Sequence, residues 1–291
     1  MTASEILDLS PGEADALLSR LEAHVPVQPP LVELPGGPIE EAIVFGDTHG
    51  DWRTSEAIAA HFLADPARRA LIGLGDYVDR PPDDCREGSV GNSLMLLQLV
   101  ADYPDRVVLL QGNHETNRRI AVVPRNLPEE VDSLWGPMVE RCARIEGLLE
   151  RGPLAATSGN GAYFAHAGFL RRNLGRNWRS AFAILSDSDL MDLVWADCAE
   201  GPNPRHVTDP FTDRDLSTFF QRTGLRVFLR GHEPGLMGRP VLHDRVMTLH
   251  SSRIYERYGG VLMAWVPFDR ALTTVRDVRL DHVDTEGHEF L

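Results

Sequence analysis

Short apolar segments recur along this 291-residue chain, and each one stops at a cluster of glycine, aspartate, asparagine or histidine. Their length and their β-branched content predict buried strands. The segments are 42–45, 70–74, 107–111, 162–165, 225–229 and 246–249. Between the early segments, apolar residues at helical spacing predict helices near 54–63 and 92–103. This alternation is typical of parallel strands joined by right-handed helical crossovers.

The N-terminal region, residues 1–38, predicts a helix followed by a connector. A capping box and an apolar stripe predict the helix over Pro11 to His24. The stretch 26–38 is rich in proline and glycine, which predicts an extended connector over the surface. We expect one domain over residues 1–291, with a helical insert near the site at residues 118–161.

Composition narrows the function class. A net charge of −14 argues against a nucleic-acid binder, whose surface would be basic. All basic residues are arginine, so Schiff-base and P-loop chemistry, which need lysine, are excluded. We expect no membrane span and no signal peptide, because the sequence shows neither a long apolar run nor a basic leader. Three widely spaced cysteines form no disulfide framework, so a cytoplasmic protein is expected.

The polar clusters carry the candidate chemistry. In parallel sheets, ligands gather beyond the carboxyl ends of the strands, so these clusters are expected to meet. Their aspartate, histidine and asparagine side chains suit Mn²⁺, Fe or Zn²⁺. Asp47 and His49, two residues apart in a tight turn, can reach one ion, and Asp76 can bridge two. The residues that could complete a second ion's ligands are Asn113, His166 and His232.

Two ions at such a site predict a hydrolase acting on phosphoesters. Ions roughly 3.5–4 Å apart lower the pKa of a bridging water and clamp an in-line displacement. Two divalent ions, two aspartates and one hydroxide leave a net charge of about +1, which attracts a phosphate dianion. An acidic protein surface is therefore compatible with an anionic substrate.

The motifs together resemble a known family. Residues 46–50 read GDTHG, 75–80 read GDYVDR and 112–115 read GNHE, and His166 and an Arg-Gly-His ending at His232 follow. In this order they resemble the phosphoprotein phosphatases, the metal-dependent serine/threonine phosphatases, over most of the chain. The resemblance implies an α/β fold, a metallophosphoesterase αββα sandwich. Two mixed sheets flanked by helices would carry a dinuclear metal site at the carboxyl ends of strands.

The resemblance also implies a role for each motif residue. His114 would be the general acid that protonates the leaving alkoxide, oriented by Asp79. The implied cofactors are two divalent metal ions. Mn²⁺ is the preferred metal, and Fe and Zn²⁺ are the alternatives. The first ion would be bound by Asp47, His49 and Asp76. The second would be bound by Asp76, Asn113, His166 and His232.

Further residues of the family's site are implied at less regular positions. A second phosphate-binding arginine is expected at Arg205, with Arg214 as its rival. Tyr255 resembles the family's active-site tyrosine. His250 stands where the family has an aromatic residue, and it is either an extra ligand or a wall residue. The substrate-binding residues implied are Arg80, Arg205 and Asn113.

Three functions remain open from the sequence. A single aspartate or histidine after a strand is usually a turn residue, but five motifs in order favour an enzyme. The first function is a phosphatase of phosphorylated proteins or small phosphoesters. The second is a nucleotide hydrolase, such as a dinucleoside tetraphosphatase or a phosphodiesterase. Many phosphodiesterases end in Gly-His-x-His, whereas here Glu233 and Pro234 follow His232. The third is a phosphate-binding protein without activity.

Overall fold

The computed structural model describes residues 1–34, 39–137, 139–172, 177–202, 205 and 207–285. The helices are α1 Ala3–Leu7, α2 Pro11–His24, α3 Trp52–Leu63, α4 Gly88–Asp102, α5 Leu127–Trp135, α6 Val139–Leu149, α7 Asp187–Trp195 and α8 Asp213–Thr223. The strands are β1 Leu31–Glu33, β2 Glu41–Phe45, β3 Arg69–Gly73, β4 Val107–Leu109, β5 Ala155–Thr157, β6 Ala162–Ala165, β7 Val227–Arg230, β8 Val246–Thr248, β9 Leu262–Pro267 and β10 Arg279–His282.

The strands form two five-stranded sheets. The first has the order β10-β9-β2-β3-β4 and the second the order β1-β5-β6-β7-β8. The pairs β2–β3 and β3–β4 are parallel, as are β6–β7 and β7–β8. Antiparallel pairs join β9 to β2, β10 to β9 and β5 to β6, so both sheets are mixed. The predicted α/β fold with two mixed sheets is confirmed.

Three apolar clusters hold the layers together. Side chains from the inner faces of both sheets, among them Val44, Ile72 and Leu229, form the middle cluster. The outer face of the first sheet packs against α1 to α6, and that of the second packs against α7 and α8. Burial of alternate strand residues on both faces therefore produces the αββα sandwich. Among the helices that the structure describes, none is both long and apolar enough to cross a bilayer.

Two stretches differ from the sequence prediction. The connector predicted over 26–38 contains β1, which pairs with β5, and residues 35–38 lie outside the described part. The predicted helical insert 118–161 does contain α5 and α6, but its last part is β5, a strand of the second sheet. Alanine and threonine dominate β5, so its sequence lacks the bulky apolar pattern of the other strands.

The two sheets meet where their parallel strands end. Asp47 and His250, just beyond β2 and β8, form an isolated parallel β-bridge across this boundary. Next to it, the Gly231 amide donates to the carbonyl of His166 at 2.9 Å, between the ends of β7 and β6. The turns after β2, β3, β4, β6, β7 and β8 are thereby brought to a single edge of the sandwich.

Candidate metal centre

The predicted ligands lie on these turns, and several have unusual backbone conformations. His49, Asp76 and His232 have positive φ angles of 44°, 58° and 71°. This left-handed conformation costs on the order of 1–3 kcal/mol for each non-glycine residue, and such residues concentrate at functional sites. Each turn reverses the chain directly after a buried strand and so aims its side chain along the sandwich edge. We refer to Asp47, His49, Asp76, Asn113, His166 and His232 as the ligand cluster.

One half of the ligand cluster is tightly assembled. His166 Nε2 lies 3.0 Å from Asn113 Oδ1 and 3.1 Å from His232 Nδ1, and the last two atoms are also 3.1 Å apart. His166 Nδ1 donates to the Leu74 carbonyl at 2.9 Å, which leaves a lone pair on Nε2. Asp76 Oδ2 is 3.5 Å from the same Nε2. Four potential metal-ligand atoms therefore converge on one point, as the ligands of a cation do.

His49 and Asp76 form the other half. His49 Nδ1 lies 3.0 Å from the Val78 carbonyl, and Nε2 lies 3.7 Å from Asp76 Oδ2. Among the described residues, His49 Nε2 has no hydrogen-bond partner. A carbonyl on Nδ1 fixes the tautomer in which Nε2 can bind a metal. Asp76 takes part in both groups of donors within 4.8 Å of one another, one with His49 and His114 and one with His166 and His232.

Asp47 is outside both of these groups and faces a different histidine. Its carboxylate accepts from the His232 amide at 3.0 Å, and Oδ2 lies 3.3 Å from His250 Nδ1. Burial, and then the neighbouring Asp76 charge, raise the pKa of Asp47 well above its usual value. Two buried carboxylates that repel each other in this way are stabilised by a shared cation.

Burial also sets the charge of the imidazoles. It lowers the pKa of His49 to about 3 and that of His166 to about 4, and it lowers the pKa of His232 well below its usual value. These histidines are therefore neutral at pH 7, which is the form that binds metals. Neutral imidazoles, an amide oxygen and two carboxylates are a donor set that fits two divalent cations.

His114 and Asp79 form a buried pair beside the ligand cluster. His114 Nδ1 is 2.6 Å from Asp79 Oδ2. Asp79 Oδ1 accepts from the amides of Asn126 and Leu127, at 2.6 and 3.1 Å, where α5 begins. Burial lowers the pKa of His114, but Asp76 and Asp79 outweigh it and hold that pKa above its ordinary value. The segment 118–161 thus borders the site through the start of α5.

Arg80 lies next to His114, and Tyr255 lies next to His49. The Arg80 guanidinium lies 3.1 Å from His114 Nε2, and its backbone amide donates to Asn126 Oδ1 at 3.0 Å. The ring of Tyr255 lies 5.8 Å from that of His49, between ring centroids. Burial, and then the Asp47 charge, raise the pKa of Tyr255, so its hydroxyl is protonated.

Arg205 is also near the ligand cluster, but a carboxylate already binds it. Its guanidinium lies 2.5 Å from Asp197 Oδ1 and donates to the His232 carbonyl at 3.1 Å. Its rival Arg214 is exposed on α8. We refer to Arg80, Arg205 and Tyr255 as the rim. Residues 203, 204 and 206, next to Arg205, lie outside the described part.

Two carboxylates in the site were not assigned a role from the sequence. Glu115 accepts from the amides of Asp76, Tyr77 and Gly112 at 2.7–2.8 Å, and so joins the turns after β3 and β4. Asp197 binds Arg205 and lies 3.8 Å from His232 Nε2. Glu115 can be recognised in the sequence as an acidic residue inside a turn that follows an apolar strand. Asp197, two residues after Trp195, is likewise an acidic residue that follows an apolar segment.

Glycines bring these turns close to the carboxylates. A Cβ atom on Gly231 would overlap Asp47 Oδ1, and one on Gly112 would overlap Asp76 Oδ1. Any side chain at either position would displace a member of the ligand cluster. The glycines of two motifs are therefore explained by the space that the carboxylates need.

Comparisons with known proteins agree with this geometry. A model of the calcineurin-like phosphoesterase family matches residues 42–236. The chain is 28% identical over 236 residues to a probable serine/threonine-protein phosphatase of Encephalitozoon cuniculi, an alignment that covers 76% of this chain and 48% of that relative. It is 27% identical over 240 residues to a serine/threonine-protein phosphatase 4 catalytic subunit of Kluyveromyces lactis, covering 79% and 75%. The chain thus spans less than half of the first relative's length.

Solved structures share the fold. A protein serine/threonine phosphatase from Saccharomyces cerevisiae with similarity to human phosphatase PP5 superposes with a TM-score of 0.75 at 22% identity, over 96% of this chain and 91% of that one. A putative diadenosine tetraphosphatase superposes with a TM-score of 0.52 at 16% identity, over 87% and 98%. At these identities the likeness shows the fold alone. Since the family model spans well over half of the chain and includes the whole ligand cluster, this protein belongs to the calcineurin-like phosphoesterase family.

Proposed function

We propose that this protein is a metal-dependent phosphomonoester hydrolase that dephosphorylates phosphoserine and phosphothreonine in proteins. The observation that carries the proposal is the buried His114–Asp79 pair, which lies between the ligand cluster and Arg80. A general acid, a cation site and a phosphate-binding arginine are the parts that phosphomonoester hydrolysis needs. The relatives named as serine/threonine-protein phosphatases support the choice of substrate.

The ligand cluster would bind two divalent metal ions. Mn²⁺ is the preferred metal, and Fe and Zn²⁺ are the alternatives. When bound, such ions supply a hydroxide nucleophile at neutral pH and neutralise charge on the phosphoryl group. Asp76 lies in both groups of donors and is the residue that both ions would share. The three buried, free cysteines suit a reducing compartment, so we also propose the cytoplasm.

The chain's own residues then bind the ester and move one proton. Arg80 holds phosphate oxygens, with its guanidinium beside His114 Nε2. When the P–O bond to the serine or threonine oxygen breaks, protonated His114 donates its Nε2 proton to that oxygen. Asp79 stabilises the protonated ring through Nδ1 and is itself fixed by the first amides of α5. Alcohol and phosphate are the products.

A panel of substrates tests the proposal. Protein treated with a chelator and then reloaded with Mn²⁺ is assayed on phosphoserine, phosphothreonine and phosphotyrosine peptides, on diadenosine tetraphosphate and on a phosphodiester. We expect metal-dependent hydrolysis with preference for the first two peptides. Preference for the dinucleotide would retain the site and move the function to nucleotide hydrolysis. Protein that binds phosphate but hydrolyses none of these substrates would be a binding protein. His114→Asn measured in parallel reports any contaminating activity.

A further inference from the structure

His250 lies beside the ligand cluster. It belongs to none of the motifs, and it lies outside the residues that the family model matches, 42–236. It lies two residues beyond the end of β8 and forms the β-bridge with Asp47. Its side chain is completely buried. In the described part of the chain, neither of its ring nitrogens has a hydrogen-bond partner. A buried imidazole with two unpaired nitrogens is costly unless something binds it.

The position of the ring indicates what binds it. Nδ1 lies 3.3 Å from Asp47 Oδ2, without the geometry of a hydrogen bond. Two ligand atoms, each about 2.1 Å from one ion, lie roughly 3.0–3.4 Å apart in octahedral or tetrahedral geometry. The pair therefore has the spacing of two ligands on one cation. The ring of Tyr255, 4.6 Å away between centroids, covers His250 and restricts its movement.

We infer that His250 is a further ligand of the ion that Asp47 binds, through Nδ1. This inference rests on the two-ion site of the proposed function and adds a fourth histidine to it. The ion next to Asp47 then has His49 and His250 as nitrogen ligands, and the second ion has His166 and His232. A more nitrogen-rich first site favours borderline cations, such as Zn²⁺ or Fe²⁺, over Mg²⁺.

The number of coordinated histidines can be counted in the intact protein. When the protein is loaded with Co²⁺, each coordinated imidazole keeps one exchangeable ring N–H. The proton NMR signal of that N–H is strongly shifted by the ion and disappears in D₂O. We expect four such signals in the full-length protein. Three signals from protein that holds two Co²⁺ ions would overturn the role of His250 and leave the two-ion site intact. Protein that binds no Co²⁺ would overturn both.

Variants identify the fourth signal. His250→Phe keeps an aromatic ring and removes both nitrogens, so we expect one shifted signal fewer and a Kd for one of two Co²⁺ ions raised at least about 10-fold. His61→Phe is the matched control, because His61 packs edge-on against Trp265, 5.8 Å away between centroids, outside the site. It should retain four signals and both affinities. Wild-type affinities and four signals in His250→Phe would refute the assignment. Should His250→Phe fail to fold, His250→Gln gives the same comparison.

Discussion

The ligand cluster and the rim border the same site, but they are held in different ways. Ring nitrogens of the cluster are fixed by backbone carbonyls, as His49 is by Val78 and His166 by Leu74. The two arginines of the rim contact other side chains, Arg80 that of His114 and Arg205 that of Asp197, although Arg205 also donates to the His232 carbonyl. Backbone atoms at the ends of packed strands cannot move independently of the sheets, whereas side-chain pairs can exchange partners. In the proposed site we therefore expect the fold to set the geometry of metal binding, and exchangeable side-chain contacts to set phosphate binding.

The two regions also differ in burial, since the ligand cluster is more deeply buried than the rim. His49 and His166 are completely buried, whereas 40% of the Arg205 side chain is exposed. Interactions inside the cluster are therefore strong and those at the rim are screened by water. Changes in the cluster should abolish metal binding, and changes in the rim should alter substrate affinity in graded steps.

The largest effect is expected from the residue shared by both halves of the cluster. Asp76→Asn should remove metal from the protein and reduce hydrolysis by at least about 10³-fold, because one carboxylate serves both groups of donors. Bound metal is measured by mass spectrometry after desalting, and initial rates on a phosphoserine peptide. Asp269→Asn, an exposed position, is the matched control. Two retained ions in Asp76→Asn would show that the carboxylate is not shared.

A smaller loss, without loss of metal, is expected at the boundary between the cluster and the rim. His114→Asn should keep both ions and lower kcat about 10²- to 10⁴-fold, because only proton donation is removed. The loss should be greatest for a phosphoserine peptide and smallest for an aryl phosphate, whose leaving group needs little protonation. His24→Asn, at the exposed last residue of α2, serves as the control. Equal losses on both substrates would contradict a role as general acid.

The sequence predicted the strands that end in polar motifs and the residues of those motifs. Apolar runs such as that of β3 stop abruptly at glycine and aspartate, so the same pattern predicts both the strand and the candidate metal ligand that follows it. By contrast β9 was not predicted, although it is an interior strand of the first sheet. It follows Gly259 and Gly260 and carries no ligand, and its antiparallel pairing with β2 depends on contacts remote in sequence.

The partners of the site residues were harder to predict than the residues themselves. Nothing in the local sequence shows that Asp197 binds Arg205, since the pair forms only when α7 and the following loop reach the end of β7. Likewise, Glu115 was read as part of a motif, but its three amide contacts span two turns that are distant along the chain. The local sequence therefore identifies the candidate ligands, whereas the contacts that hold them in place form only in the tertiary structure.

Within the rim, Arg80 should matter most. Arg80→Ala should raise KM for the phosphoserine peptide and Ki for inorganic phosphate about 10- to 100-fold, the range for losing hydrogen bonds to a charged group. Metal content should remain unchanged, because Arg80 contacts His114 rather than the cluster. Inhibition by phosphate at several substrate concentrations gives both constants. An unchanged Ki would remove Arg80 from phosphate binding.

Arg205 should have the smallest effect, because Asp197 already neutralises its guanidinium and 40% of its side chain is exposed. Phosphate must displace Asp197 to use it, so Arg205→Ala should raise Ki for phosphate only about 2- to 10-fold. Asp197→Asn weakens the competing contact and should lower Ki. Arg214→Ala, on the exposed face of α8, is the matched control and should leave Ki unchanged. A larger rise in Ki for Arg214→Ala than for Arg205→Ala would assign the second phosphate contact to α8 and show that the Asp197–Arg205 pair is only structural.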